Sequence, residues 1–101
     1  MHLIQILLPL NDGEGRRFPA QSFERLAHEL TEKFGGATSF TRSPAEGRWK
    51  NGLTTERDDI AVIEVMAETL DRDWWAELRR RLEREFEQDE VVIRGQRTER
   101  L

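Results

Sequence analysis

The residue best suited to acid–base chemistry in this sequence is Glu64. It lies within the apolar run DIAVIEVMA, residues 59–67. A carboxylate held among apolar neighbours can take a proton from a substrate, so Glu64 is a candidate general base. The alternative is a structural role, in which Glu64 pairs with an arginine on a neighbouring strand. Arg42 and Arg94 are the arginines that the predicted strands offer for such a pair.

Three other residues are candidates for a ligand-binding site or an interface. Gln5 is the polar residue in the middle of the apolar run HLIQILL, while Trp49 and Glu56 belong to the connection 43–58. Within SPAEGRWKNG, proline, glycine and Asn51-Gly52 predict turns, so a large aromatic is unusual there. We expect Trp49 to cover the rim of a sheet or a dimer seam, with a ligand contact as the alternative. The candidate set is Gln5, Arg42, Trp49, Glu56, Glu64 and Arg94.

Metal and cofactor motifs are not evident. The chain has no cysteine, which excludes disulfides and thiolate sites, and His2 and His28 are its two histidines. Two histidines form a metal site only if the fold brings them together with further ligands. The segment DGEG, residues 12–15, lacks the lysine and the spacing of a phosphate-binding loop and predicts a turn. We therefore predict neither a metal nor a cofactor.

Composition limits the class of protein. The chain has 101 residues and a net charge of −4. This length predicts a single domain over residues 1–101, and the acidic balance argues against nucleic-acid and anionic-membrane partners. The apolar start MHLIQILLPL is too short for a spanning helix and lacks the features of a signal peptide. These features lead us to expect a cytoplasmic protein.

Hydrophobic periodicity predicts six elements. Strands are expected at 2–8, 37–43, 59–67 and 90–94, because apolar or alternating residues occur there. A helix is expected from Pro19 to the Gly35-Gly36 pair, and a second over 71–88 with Asp71 as its N-cap. The end of the chain, 95–101, is predicted to be a frayed polar tail.

This β-α-β-β-α-β order predicts a ferredoxin-like α+β sandwich, with a four-stranded antiparallel sheet and two helices on one face. Strand alternation then places Gln5, Glu64 and Arg94 on the face that the helices leave open. The same face would carry an apolar patch of Leu3, Leu7, Val62 and Met66. Because such patches mark interfaces, we expect a homodimer that packs through the sheet.

Several separated segments together resemble a family of small bacterial proteins of unknown function. They are FGGAT (34–38), AEGRW (45–49), Glu56-Arg57 and FEQDEVVI (86–93), which correspond to F-x-G-x-T, G-x-W and F-x-Q-x-x-V elements. The resemblance spans most of residues 3–93 and is consistent with a ferredoxin-like fold. It implies no activity, because the family's own role is not established. Its elements fall on Gly36, Thr38, Gly47, Trp49, Glu56 and Gln88.

The favoured function is a homodimeric module that binds a small ligand or a partner protein through the open sheet face and the connection 43–58. The alternative is a small cofactor-free enzyme, of the isomerase or oxygenase type, with Glu64 as general base. A nucleic-acid binder is disfavoured, because the predicted open face lacks paired aromatic residues and the chain is acidic.

Overall fold

The computed structural model describes residues 1–42, 47–48, 55–56 and 59–101, and for residues 42, 47–48 and 55–56 it describes the backbone alone. The elements, in chain order, are β1 (His2–Pro9), α1 (Ala20–Phe34), β2 (Thr38–Arg42), β3 (Gly47–Arg48), β4 (Thr55–Glu56), β5 (Ile60–Ala67), α2 (Arg72–Glu85) and β6 (Val92–Arg97). In the described ranges, no helix has the length and apolar character needed to cross a membrane.

The main sheet has the strand order β2-β5-β1-β6, and every neighbouring pair is antiparallel. The predicted ferredoxin-like α+β sandwich is therefore confirmed. β1 and β5 are central, as their apolar sequences predicted. Within the predicted connection 43–58, β3 and β4 form a separate two-stranded ladder, in which Gly47 pairs with Glu56.

The core lies between the helices and one face of this sheet. Alternate residues of β1 and β5 point into it, because successive side chains of a strand face opposite ways. The fully buried members are Ile4, Ile6 and Leu8 of β1, Ile63 of β5, Leu30 of α1, and Leu82 with Phe86 at the end of α2. Full burial of one such side chain contributes roughly 1.5–3 kcal/mol, so this layer dominates the stability of the domain.

Helix ends follow the predicted capping residues. The Asp71 carboxylate accepts the Trp74 N–H at 3.1 Å and so caps α2. α1 ends at Gly35, whose φ of 85° is left-handed and whose N–H donates to the Thr31 carbonyl at 2.8 Å. Glycine suits this position because a side chain would be strained there. Pro19 precedes the first helical residue, Ala20, without capping it.

The connection from α2 to β6 is closed by its own hydrogen bonds. α2 ends at Glu85, earlier than predicted, because Glu87 adopts a φ of 51° and its N–H donates to the Arg84 carbonyl at 3.3 Å. The Gln88 N–H donates to the Glu83 carbonyl at 2.9 Å, and the Gln88 Nε2 to the Phe86 carbonyl at 2.9 Å. The residues of the F-x-Q-x-x-V element therefore have a structural role in this chain.

Glu83 links α2 to the start of β6. Its carboxylate accepts the Val91 N–H at 3.0 Å and also binds Arg79 Nη1 at 3.0 Å. The Val91 N–H, and after it the Arg79 guanidinium, hold the pKa of Glu83 below its usual value. β6 then continues to Arg97, so the tail predicted from residue 95 begins three residues later than expected.

The DGEG segment is a turn, as predicted. The Asp12 Oδ1 accepts the N–H groups of Glu14 and Arg16, both at 2.9 Å. The bond from the Arg16 N–H is the main reason that the pKa of Asp12 lies below its usual value. Asp12 therefore organises the loop between β1 and α1, and its carboxylate is already occupied by the backbone.

Candidate functional site

A row of three polar side chains crosses the open face of the sheet. In the strand register, Gln5 of β1 lies between Glu64 of β5 and Arg94 of β6. Arg94 Nε donates to Gln5 Oε1 at 2.9 Å, and Gln5 Nε2 donates to Glu64 Oε2 at 3.1 Å. Glu64, Gln5 and Arg94 are called the polar row below.

The chemistry of the three groups determines how the row is oriented. Arginine can only donate hydrogen bonds and an ionised carboxylate can only accept them, so the Gln5 amide must present its oxygen to Arg94 and its nitrogen to Glu64. β5 and β6, which carry Glu64 and Arg94, are separated by two strand spacings, or about 10 Å. The predicted direct Glu–Arg pair is therefore wrong for Arg94, because the central strand β1 places Gln5 between them.

Apolar residues surround the polar row, but the patch differs from the predicted one. Met66 is 38 % exposed and Val92 is 46 % exposed, while Leu3 and Leu7 are half-buried. Val62, predicted to be exposed, is only 2 % exposed, and Phe40 and Leu7 flank it on the neighbouring strands. The exposed apolar surface therefore lies along β1, β6 and the end of β5.

A groove of about 550 Å³ opens beside Glu64, at the edge of the open face. Thr38, which is in register with Glu64, and Met66 contribute to its wall. Phe34 and Gly36 come from the turn between α1 and β2. The residues of the F-x-G-x-T element, Phe34, Gly36 and Thr38, therefore line the same groove as the candidate base.

No contact that the structure describes joins the polar row to the other predicted site residues, Arg42, Glu56 and Trp49. Arg42 ends β2, where its backbone pairs with Ile60, four residues from Thr38, and its side chain lies outside what the structure describes. Glu56 is in β4, outside the main sheet. Trp49 lies outside the described residues, so its predicted place at the sheet rim or dimer seam is still only a prediction.

The sequence reasoning missed the contributions of Thr38 and of the two chain ends to the groove. Thr38 was assigned to a strand, but its pairing with Glu64 depends on register, which the sequence leaves open. Met1 and Arg100 also line the groove, because the Thr98 N–H donates to the Met1 carbonyl at 3.0 Å and holds the last residues beside β1. The F-x-G-x-T element was the available signal for this surface.

Metal-binding groups do not cluster in the described part of the chain. No set of three or more histidine, aspartate and glutamate residues could hold an ion there. His28 lies on the exposed side of α1, where its Nε2 is 3.9 Å from Glu32 Oε1.

Comparison with known proteins identifies a fold and no family. No family model matches the chain, and no curated protein matches it. Two solved structures are similar. A phage SAM lyase in complex with S-methyl-5′-thioadenosine has 16 % identity and a TM-score of 0.59 over 94 % of this chain and 79 % of that one. A phage SAM lyase in the apo state has 17 % identity and a TM-score of 0.57 over 94 % and 78 %. At this identity the likeness shows that the fold is shared.

Proposed function

We propose that this protein is a homodimeric module that binds a small polar molecule in the groove beside Glu64. The observation that carries the proposal is the state of the Glu64 carboxylate. One of its oxygens accepts from the neutral Gln5 amide, and within the described residues it forms no ion pair. A carboxylate that is oriented but not neutralised, and that lines a groove, is suited to hold a ligand.

The ligand's chemistry follows from the lining of the groove. Phe34, Met66 and Leu3 supply apolar contact, while Thr38, Glu64 and Arg100 supply polar groups. A ligand that matches them has an apolar or aromatic body, a hydrogen-bond donor or positive charge for Glu64, and a hydrogen-bond acceptor or negative charge for Arg100. The groove volume, about 550 Å³, falls within the range of small-molecule sites, roughly 300–1,000 Å³.

The charge distribution of the polar row favours a second copy as the partner of the open face. The row is negative at Glu64 and positive at Arg94, with Gln5 at its centre. In a face-to-face pair whose two-fold axis runs parallel to β1, the strand order of the second copy is reversed. Glu64 then faces Arg94 of the second copy, twice per dimer, across sheets about 10 Å apart. The Glu64 oxygen that does not accept from Gln5 remains for the ligand in the groove. Exposed Met66 and Val92 would be covered by the same contact.

A ligand screen, followed by a variant of Glu64, tests the binding proposal directly. A thermal-shift screen of amino acids, nucleosides and S-methyl-5′-thioadenosine should give at least one stabilising ligand, and titration calorimetry should then measure its affinity. Glu64→Gln keeps the shape and the bond from Gln5 but removes the charge. We expect it to weaken binding about tenfold or more, as for hydrogen bonds to charged groups.

The matched control is Glu68→Gln, because Glu68 is an exposed carboxylate just after β5 that takes no part in the polar row. It should bind as the unchanged protein does. Equal affinities for Glu64→Gln and Glu68→Gln would remove Glu64 from the site and contradict the proposal.

A second candidate function is a cofactor-free enzyme with Glu64 as general base. The observation that favours it is the same oriented carboxylate, together with a fold shared with a lyase. If this candidate is correct, Glu64 takes a proton from the amino-acid chain of SAM as the bond from that chain to sulfur breaks. Chromatography after incubation with SAM should then show the release of S-methyl-5′-thioadenosine and an equal amount of the four-carbon unsaturated amino acid. Glu64→Gln should abolish that release and Glu68→Gln should not. No release from the unchanged protein would exclude SAM as its substrate and leave the binding proposal intact.

A further inference from the structure

A second groove lies on the helix side of the sheet, between α2 and the edge strand β6. Its volume is about 490 Å³. Ile4, Trp75 and Ile93 form an apolar part of its lining, with Leu70 just before α2. Arg94 of the polar row also lines it, but this groove and the groove beside Glu64 share no lining residue, so the two are separate.

Small residues on both walls keep this groove open. On the wall formed by α2 the small residue is Ala76. It lies on one stripe of the helix with Arg72 and Arg79, since the three are spaced by four and three residues. Gly95 lies on the facing strand, in register with Ile4. A Cβ placed on Gly95 would meet Ile4 Cγ1 at 3.5 Å, which is an ordinary van der Waals contact. The groove therefore results from the absence of a side chain at a position that has room for one.

The rim of the groove is basic although the chain is acidic. Its charged and titratable lining residues within the described ranges are His2, Arg72, Arg79, Arg94 and Arg97. Arg79 is bound to Glu83, and Arg94 donates to Gln5. Arg72 and Arg97 form no ion pair among the described residues. Arg97 of β6 is in register with His2 of β1, so the two lie on the same face of the sheet.

We propose that this groove binds a small organic anion, in which a sulfonate, carboxylate or phosphate is attached to an aromatic or aliphatic body. Arg72 and Arg97 contact the anionic group, and Ile4, Trp75 and Ile93 contact the body. Charge complementarity selects the occupant, because an uncharged apolar molecule leaves both guanidinium groups without a partner. The volume of about 490 Å³ suits a molecule of this size.

Binding of 8-anilino-1-naphthalenesulfonate, a dye with a sulfonate on an aromatic body, tests the proposal. Its fluorescence should rise to saturation with the unchanged protein. Gly95→Val places a branched side chain inside the groove without altering the charge. We expect this variant to weaken binding roughly tenfold while folding normally, because valine favours strands and the backbone of Gly95 is not left-handed.

Charge variants test the rim independently. Arg72→Gln and Arg97→Gln should each weaken binding by about threefold to tenfold, and their affinity should depend less on salt concentration. Arg80→Gln is the matched control, since Arg80 is an exposed arginine of the same helix that does not line the groove. It should bind like the unchanged protein. N-phenyl-1-naphthylamine, which lacks the sulfonate, should bind all four proteins equally.

Two results would overturn the proposal. One is the absence of saturable dye binding to the unchanged protein. The other is unchanged affinity in Gly95→Val, or in Arg72→Gln combined with Arg97→Gln, which would place the dye elsewhere on the molecule. If Gly95→Val does not fold, as judged by circular dichroism, the double arginine variant alone decides the question, because both positions are exposed.

Discussion

Replacing Phe86 with alanine is expected to lower the free energy of unfolding by about 3–5 kcal/mol, the usual cost of deleting a buried aromatic ring. Phe86 follows the last turn of α2 and is completely buried. The centroid of its ring lies 5.0 Å from the ring centroid of Phe18, in an edge-to-face arrangement, and 5.1 Å from that of Phe23. One side chain thus joins α2 to the segment before α1 and to α1 itself.

Urea denaturation followed by tryptophan fluorescence measures this effect. Phe86→Leu is the graded control, because it retains most of the buried volume and loses only the ring contacts, so it should cost about 1–2 kcal/mol. The total stability of a domain of this size is about 5–15 kcal/mol, which makes the alanine variant marginal at 37 °C. A loss under 1 kcal/mol in Phe86→Ala would show that the ring does not hold the two helices together.

Reversing one charge of the polar row is expected to break the proposed dimer, and reversing both is expected to restore it. In the proposed pair, Arg94→Glu would set two carboxylates against each other at two symmetric positions. Because facing like charges cost several kcal/mol, the dimer should weaken by about a hundredfold or more. Combining Glu64→Arg with Arg94→Glu exchanges the two charges and returns opposite charges to each position.

Light scattering coupled to size-exclusion chromatography reads the result directly. The unchanged protein and the exchanged variant should show twice the 11.9 kDa mass of the chain, and the single variant should show one chain mass. An unchanged protein of one chain mass at micromolar concentration would refute the dimer. A single variant that remains dimeric would place the contact on another face.

The central part of the fold was predictable because its signals are local. The apolar runs of β1 and β5, the cap at Asp71 and the glycine after α1 each act within a few residues. Gln5, Glu64 and Arg94 could also be assigned to one face, since strand alternation has a period of two. Alternation does not give their order across the sheet. That order follows from the position of β1 between β5 and β6.

Other features depend on contacts that the sequence does not display. The end of β6 was not predicted, because Gly95 and the charged residues around it are not typical of a strand. This segment is a strand because it pairs with β1. Val62 is buried although alternation places it on the open face with Glu64, so alternation alone cannot show its burial. The groove beside Glu64 likewise combines a strand with the turn after α1, and the basic groove combines a helix with the edge strand.

The central position of β1 has a consequence for folding during synthesis. β1 is made first, yet Gln5 bonds to a residue 59 positions later and to another 89 positions later. Its apolar side chains must therefore wait for most of the chain to leave the ribosome before either neighbouring strand can cover them. Contacts so distant in sequence slow folding, and an uncovered apolar strand is prone to aggregation. We therefore expect aggregation of the incomplete chain to begin at β1.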